Sequence, residues 1–223
     1  MAEARPGAPL PLEGLRVIDA SSIFAGPIIA MTLGDYGADV IKVEHPTGDA
    51  LRKIGYRKKG VPLWWKVVSR NKRCITLNLK TPKAREILKA LVRDADVLIE
   101  NYRAGAFEAL GLGYKDMQKI NPQLIYCSMT AFGQNGPRRT HTAYDHAIQA
   151  TSGIMAMTGE EGGSAIKCGA PIIDYSTGTM AAFAISSALF QRTRTGKGQH
   201  IDCAMADVAM MLEASHIAGY VNT

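Results

Sequence analysis

Apolar residues along this chain fall in short runs of strand length that alternate with stretches of helical spacing. Residues 15–20 form the first apolar run, Ala25-Gly-Pro27 follows, and residues 28–36 carry apolar positions at helical spacing, with Pro27 suited to a first helical turn. Gly37 closes that helix, residues 39–44 read as a second strand, and His45-Pro46 with Gly48 ends it. The chain therefore opens on a βαβ unit. Residues 74–79 alternate like a strand, and Thr81-Pro82 then caps and starts a helix to about residue 93, with Ile87, Leu88, Leu91 and Val92 as its buried stripe. Residues 96–100 and 124–129 are further strands, with a short helix at 114–120 between them. From Tyr144 onward the pattern predicts helices at 147–157, 177–193 and 206–220, and a strand at 199–205. Strands alternating with helices predict an α/β fold, a Rossmann-like and largely parallel sheet flanked by helices.

Composition adds little to the fold and more to the class. The 223 residues are 47% hydrophobic, with 22 Gly and 10 Pro, an ordinary globular make-up. A chain of this length buries roughly 70% of its unfolded surface and needs no disulfide or structural metal. Cys74, Cys127, Cys168 and Cys203 are widely spaced without a C-x-x-C pair, so they read as reduced, mostly buried thiols of a cytoplasmic protein. Residues 1–11 hold Glu3, Arg5 and three prolines but no apolar run, which predicts a flexible segment and not a secretory signal. The longest apolar stretch, residues 180–190, is interrupted by Ser186 and Ser187 and falls short of the roughly 20 residues of a membrane span. A soluble protein without a membrane partner is expected.

Charge is unevenly placed. The net charge is +6, yet residues 51–73 hold nine cations and no acid, and the other 17 cations are outnumbered by 20 acids. Such a run is either a solvated face or a landing surface for an anionic ligand. Gly55, Gly60 and Pro62 break any groove-filling helix there, and no nucleic-acid-binding signature accompanies the cations, which points to a phosphorylated small molecule and away from nucleic acid.

The common site motifs fail. The turn after the first strand has one glycine and a proline where a dinucleotide fingerprint needs three glycines, and no P-loop or G-x-S-x-G elbow occurs. His45, His141, His146, His200 and His216 are dispersed, so no metal site is expected. Residues 168–178 remain, where Asp174 lies between an apolar Pro-Ile-Ile run and a helix N-terminus. It reads either as a helix cap or as an accessible carboxylate able to act as a covalent nucleophile.

Several ordered segments resemble a known family. They are residues 11–19, Ala25-Gly-Pro27, residues 37–44, Asn71-Lys-Arg73, residues 77–80, Glu100-Asn101, residues 133–137, Tyr144-Asp145, residues 169–174, residues 195–199 and Ile201-Asp202. Together they resemble the class III CoA-transferases of the CaiB/BaiF type. The resemblance implies that Asp174 attacks an acyl-CoA thioester, that an aspartyl-CoA thioester follows, and that CoA passes to a small carboxylic acid. By the same resemblance Ala25, Leu77, Lys80, Asn101 and Tyr102 contact CoA, which acts as substrate, and no cofactor is permanently bound. Phe24, His45, Ala109 and Thr142 stand where some relatives have polar or cationic CoA contacts, with Arg103, Arg138 and Arg139 close by in sequence.

The related α-methylacyl-CoA racemases pair the aspartate with a histidine where this chain has Tyr144, and His146, two positions on, would point elsewhere on a helix. Transfer is therefore preferred to racemisation. Residues 12–223 correspond to the N-terminal portion of the family's large domain, without the second domain and the C-terminal return. An incomplete domain of an interlocked homodimer is thus expected, and a non-catalytic CoA-binding fragment is the third reading.

Overall fold

Period-two alternation between two apolar faces builds the sheet. In the computed structural model, which describes residues 8–223, β1 is Arg16–Asp19, and its Val17 and Ile18 enter cores on opposite sides. Helix α1 (Ala25–Asp35) leads to β2 (Asp39–Glu44). Within the basic run the chain forms a hairpin, β3 (Arg57–Lys58) with β4 (Val61–Pro62), followed by α2 (Leu63–Val68). Lys59 and Gly60 both take positive φ at its two-residue turn, the geometry that matches hairpin twist.

Strand β5 runs Lys72–Thr76, two residues earlier than its apolar pattern indicates, because the ammonium group of Lys72 is buried against Asp19 and a polar residue thereby joins the ladder. Helix α3 (Pro82–Arg93) starts at the expected Thr81 cap, whose side chain accepts from the Ala84 amide; Leu88 and Val92 are buried as read, while Ile87 is exposed and Ala84 takes its place in the stripe. Then come β6 (Val97–Glu100), α4 (Ala106–Ala109), α5 (Tyr114–Ile120) and β7 (Ile125–Thr130). Helix α6 (Asp145–Ser152) stops earlier than expected at Gly153, which adopts the left-handed conformation.

Helix α7 (Ile172–Thr195) begins five residues before the expected start and so includes Asp174. After β8 (Gln199–Ala204), the expected last helix is two, α8 (Met205–Leu212) and α9 (Ala214–Asn222), broken at the buried Glu213. Among the described residues none of the helices is long and apolar enough to cross a membrane. Residues 1–7 of the segment expected to be flexible lie outside the described residues, and Leu12 is tied to the domain through its amide on the Tyr36 carbonyl. Of the four thiols only Cys127 is buried, while Cys74 is exposed on the edge strand β5.

The six strands are ordered β5-β2-β1-β6-β7-β8, and every neighbouring pair is parallel. This is the doubly wound order, in which successive strands are added outward from β1 on one side and then, the order reversing, from β6 on the other, and such sheets bind ligands at the carboxyl ends of those two strands. One face carries α1, α6, α7 and α8 over Val17, Val97, Ile99 and Ile125. The other carries α3 and α5 over Ile18, Leu98 and Tyr126.

Helices α1 and α7 touch closely because Gly178 has no side chain: a Cβ there would lie 2.4 Å from Ile28 and 3.2 Å from the Ala25 carbonyl. Gly178→Ala is expected to push the two helices apart and to cost about 1–3 kcal/mol, read as a lower urea midpoint. An unchanged midpoint would mean that the contact relaxes freely.

Candidate functional site

A cavity of about 1040 Å³ opens at the carboxyl ends of the strands, bounded by the loops after β1 and β6, the segment before α6, and the N-terminus of α7. Phe24, Trp64 and Val67 supply apolar wall, and Trp64 packs edge-on against Phe24 and Tyr56 with ring centroids 5.4 and 5.9 Å away. A smaller cavity of about 270 Å³ adjoins it and shares Ser22, Asn101 and Tyr102.

Asn101 clasps the two loops at the reversal point. Its Oδ1 accepts from the Ser22 amide at 2.8 Å, and its Nδ2 donates to the Ser22 carbonyl at 2.8 Å. Ile23, next in the chain, has φ of 67°, rare for a branched residue, and its amide reaches the Asp49 carboxylate at 3.3 Å. Below lies a buried charge cluster: Lys42 Nζ is 3.5 Å from both Asp19 and Asp49 and donates to the Ser21 carbonyl, while Lys72 Nζ is 2.9 Å from Asp19. Burial alone would raise the Asp19 pKa, but Lys42 and Lys72 outweigh it and hold the carboxyl at about 2. Glu100, at the end of β6, accepts from the Tyr102 amide at 2.8 Å, and burial pushes its carboxyl up to about 7 against the opposing hydrogen bond from Ser128.

Asp174 sits at the third helical position of α7 and not at its cap, which is Pro171. Its carboxylate lines the larger cavity and has no hydrogen-bond donor among the described residues. Burial pushes its pKa up to about 7, and the negative charge of Asp145 adds to the rise. Pro171 has no side-chain acceptor to offer, so Asp145 of α6 supplies one: its Oδ2 accepts from the amides of Ile173 at 2.7 Å and Asp174 at 3.0 Å. Gln149, fully buried, donates to the other Asp145 oxygen, and its own Oε1 accepts from the Cys168 amide at 2.8 Å. Tyr144-Asp145 stands out in the sequence as a motif. Its reach to a helix 28 residues further on is a tertiary fact with no local signal.

Of the expected contacts, Ala25, Asn101 and Tyr102 line the cavity together with Asp174, as do Phe24 and Thr142. Leu77 packs at the edge of the α3 core, Lys80 is exposed on the turn before α3, and neither reaches this cavity. His45 lines the smaller one, and Ala109 lines neither.

The basic run gives the larger cavity apolar side chains, Trp64 and Val67 among them, but none of its cations. Arg52 grips Glu44 through two contacts of 2.7 Å and lies over the Trp65 ring at 3.7 Å, and Arg70, Lys72 and Arg73 pair with Asp35, Asp19 and Asp39. The cations that do line it are Arg103, Arg139 and Lys167, none in an ion pair among the described residues, whereas Arg138 lies over Phe132. His146 also lines it, contrary to the helical-wheel expectation, because Tyr144 is an extended residue ahead of α6 and the wheel does not include it.

Fold and site together define a doubly wound α/β protein with one unpaired carboxylate in a ligand-sized cavity at the strand reversal. Comparison with known proteins supplies the family. The profile of CoA-transferase family III matches residues 12–223, and the chain belongs to that family. It is 43% identical over 212 residues to the human succinyl-CoA:glutarate CoA-transferase, covering 93% of this chain and 48% of that protein. To the succinate–glutarate CoA-transferase of Agrobacterium fabrum it is 41% identical over 224 residues, covering 97% and 56%. The crystal structure of a CaiB/BaiF family protein from Brucella suis superposes with a TM-score of 0.92 at 42% identity, over 97% of this chain and 58% of that one. The chain thus spans about half the length of the relatives it matches.

Proposed function

We propose that this chain is the N-terminal portion of the large domain of a CoA-transferase that moves CoA from an acyl-CoA to a small carboxylic acid, with Asp174 as covalent nucleophile. The observation that carries this reading is an undonated carboxylate, raised toward neutral pKa, facing a cavity large enough for a thioester arm. A carboxylate freed from hydrogen bonds attacks more readily than one quieted by donors. An Asp174 oxygen adds to the thioester carbonyl, the C–S bond breaks, and CoA leaves as thiolate with an acyl-aspartyl anhydride in place. The thiolate then attacks the aspartyl carbonyl and releases the donor acid. The acceptor carboxylate attacks the carbonyl of the resulting aspartyl-CoA thioester and expels CoA thiolate, leaving a second mixed anhydride; the thiolate then attacks the acceptor acyl carbonyl, forming the new acyl-CoA and releasing the Asp174 carboxylate. Each step exchanges one activated acyl bond for another, so no step is steeply uphill.

Ala25, Asn101 and Tyr102 would hold CoA at the cavity, and Leu77 and Lys80 would meet its outer part. The relatives named above support succinyl-CoA as donor and a dicarboxylate such as glutarate as acceptor. Arg103, Arg139 and Lys167 are free to hold a second carboxylate. The full protein would add a second domain, form a homodimer and work in the cytoplasm without a permanently bound cofactor, a nucleic acid or a membrane. Phe183 and Phe190, exposed on α7 at 68% and 66%, offer apolar surface for that packing.

The test is intact-protein mass spectrometry after incubation with succinyl-CoA and hydroxylamine. A hydroxamate on Asp174 is expected; CoA binding without any adduct would make the chain a binding fragment. A second reading, α-carbon racemisation, draws on His146 in the same cavity. Deuterium entering the α-position of a 2-methylacyl-CoA without an acceptor acid would favour it.

A further inference from the structure

The first turn of α7 is satisfied without any help from Asp174. The Ile172 amide donates to the Ala170 carbonyl at 2.8 Å, those of Ile173 and Asp174 donate to Asp145 Oδ2, and that of Tyr175 donates to the Pro171 carbonyl at 3.2 Å. An acidic residue at the third helical position is ordinarily stabilised by these amides and by the helix dipole. Here another carboxylate, from another helix, has taken that place. Asp145 is only 8% exposed and is locked by a glutamine that is 0% exposed.

We propose that Asp145, held by Gln149, is a positioning residue for Asp174: it takes up the stabilising amides of the α7 N-terminus and sets its negative charge beside Asp174, leaving that carboxylate basic and undonated. The proposal rests on reading Asp174 as the nucleophile.

Other groups around Asp174 are distributed by element. Helix α6 presents His146 besides Asp145, and the segment before it presents Arg139, His141 and Tyr144. The segment before α7 presents Lys167 and Cys168, the loop after β6 presents Tyr102 and Arg103, and α7 itself presents Tyr175. Helix α1 turns only small and apolar residues toward α7, its one charged residue, Asp35, being paired with Arg70 at the far end. Among the described residues Asp145 is therefore the only acid beside Asp174 in this shell, and the cations line the wider cavity.

Asp145→Asn tests the assignment, because an asparagine Oδ1 accepts from the same two amides while the charge is gone. A cap with a purely structural role would be replaced without consequence for titration. With isotope-labelled aspartate carboxyl groups, NMR is expected to show the Asp174 titration moving down by about one pH unit in Asp145→Asn. The acid limb of hydroxamate formation should move with it, and the plateau rate should fall roughly tenfold as the nucleophile becomes less basic. An unchanged Asp174 titration in a folded Asp145→Asn protein overturns the proposal, even if the adduct still forms. A moved titration with no adduct in either protein supports the electrostatic assignment and removes the nucleophile reading instead. Should Asp145→Asn not fold, Gln149→Ala, which removes the donor that holds Asp145, decides: an Asp174 titration displaced from that of the unaltered chain upholds the proposal, and an unchanged one overturns it.

Discussion

Asp174→Ala is expected to eliminate hydroxamate formation from succinyl-CoA, a loss of about a thousandfold or more, while CoA binding persists. The reasoning is local. Among the described residues the one other carboxylate lining the cavity is Asp145, and both its oxygens are engaged, one by the α7 amides and one by Gln149. No neighbour is therefore placed to take over the attack.

Asp174→Asn should also reveal what the site costs the fold. The folded-state pKa is raised from the ordinary 3.8 to about 7, so ionising this carboxyl disfavours the folded state. That burden is absent below about pH 4, where the group is protonated folded or unfolded, grows between the two values, and is complete above pH 7. Asparagine removes it. A gain of roughly 1–3 kcal/mol is expected at pH 8, discounted for water at the cavity mouth, with none at pH 4. Thermal melts at both values measure this, and equal gains at the two would contradict a charge-based origin.

Lys42→Met is expected to be the most damaging single change to stability, about 3–5 kcal/mol. Lys42 is fully buried in β2 and lies between Asp19 and Asp49, themselves buried. Removing the ammonium leaves Asp49 without a cation partner and Asp19 with Lys72 alone. The loss would reach the site as well, since Asp49 accepts from the Ile23 amide and Lys42 donates to the Ser21 carbonyl, and both contacts shape the loop that Asn101 clasps. Urea unfolding provides the measurement, and a loss below about 1 kcal/mol would mean that water or rearrangement compensates. Asp19 adds a pH signature: its folded pKa of about 2 lies below the ordinary 3.8, so its contribution is present above pH 4 and disappears as the pH falls through 2.

The physical origin of each feature decides whether the linear sequence carries it. Strands β1, β2, β6 and β7 and helix α3 were legible because their signals are local: apolar runs of strand length, a Thr-Pro cap, and glycine after α1. Asp174 was legible as the candidate carboxylate through its setting and the family resemblance. Neither the start of α7 nor the role of Asp174 within it could be read that way, because Pro171 brings no cap and the acceptor comes from α6. The basic run misled for the same reason. Its charge is written in the sequence, but Glu44, Asp35, Asp19 and Asp39, which spend four of its cations, come from strands and a helix earlier in the chain.

By itself the sequence determined the parallel α/β class and the order of most elements, through periodicity and capping chemistry, and singled out Asp174 as the candidate carboxylate through its setting and the family resemblance. Tertiary structure alone decided which side chains share a cavity with Asp174, that His146 is among them, and that Asp145 holds the helix end on which it stands. Those facts depend on distances between segments brought together only by the doubly wound sheet, and local spacing carries no measure of them.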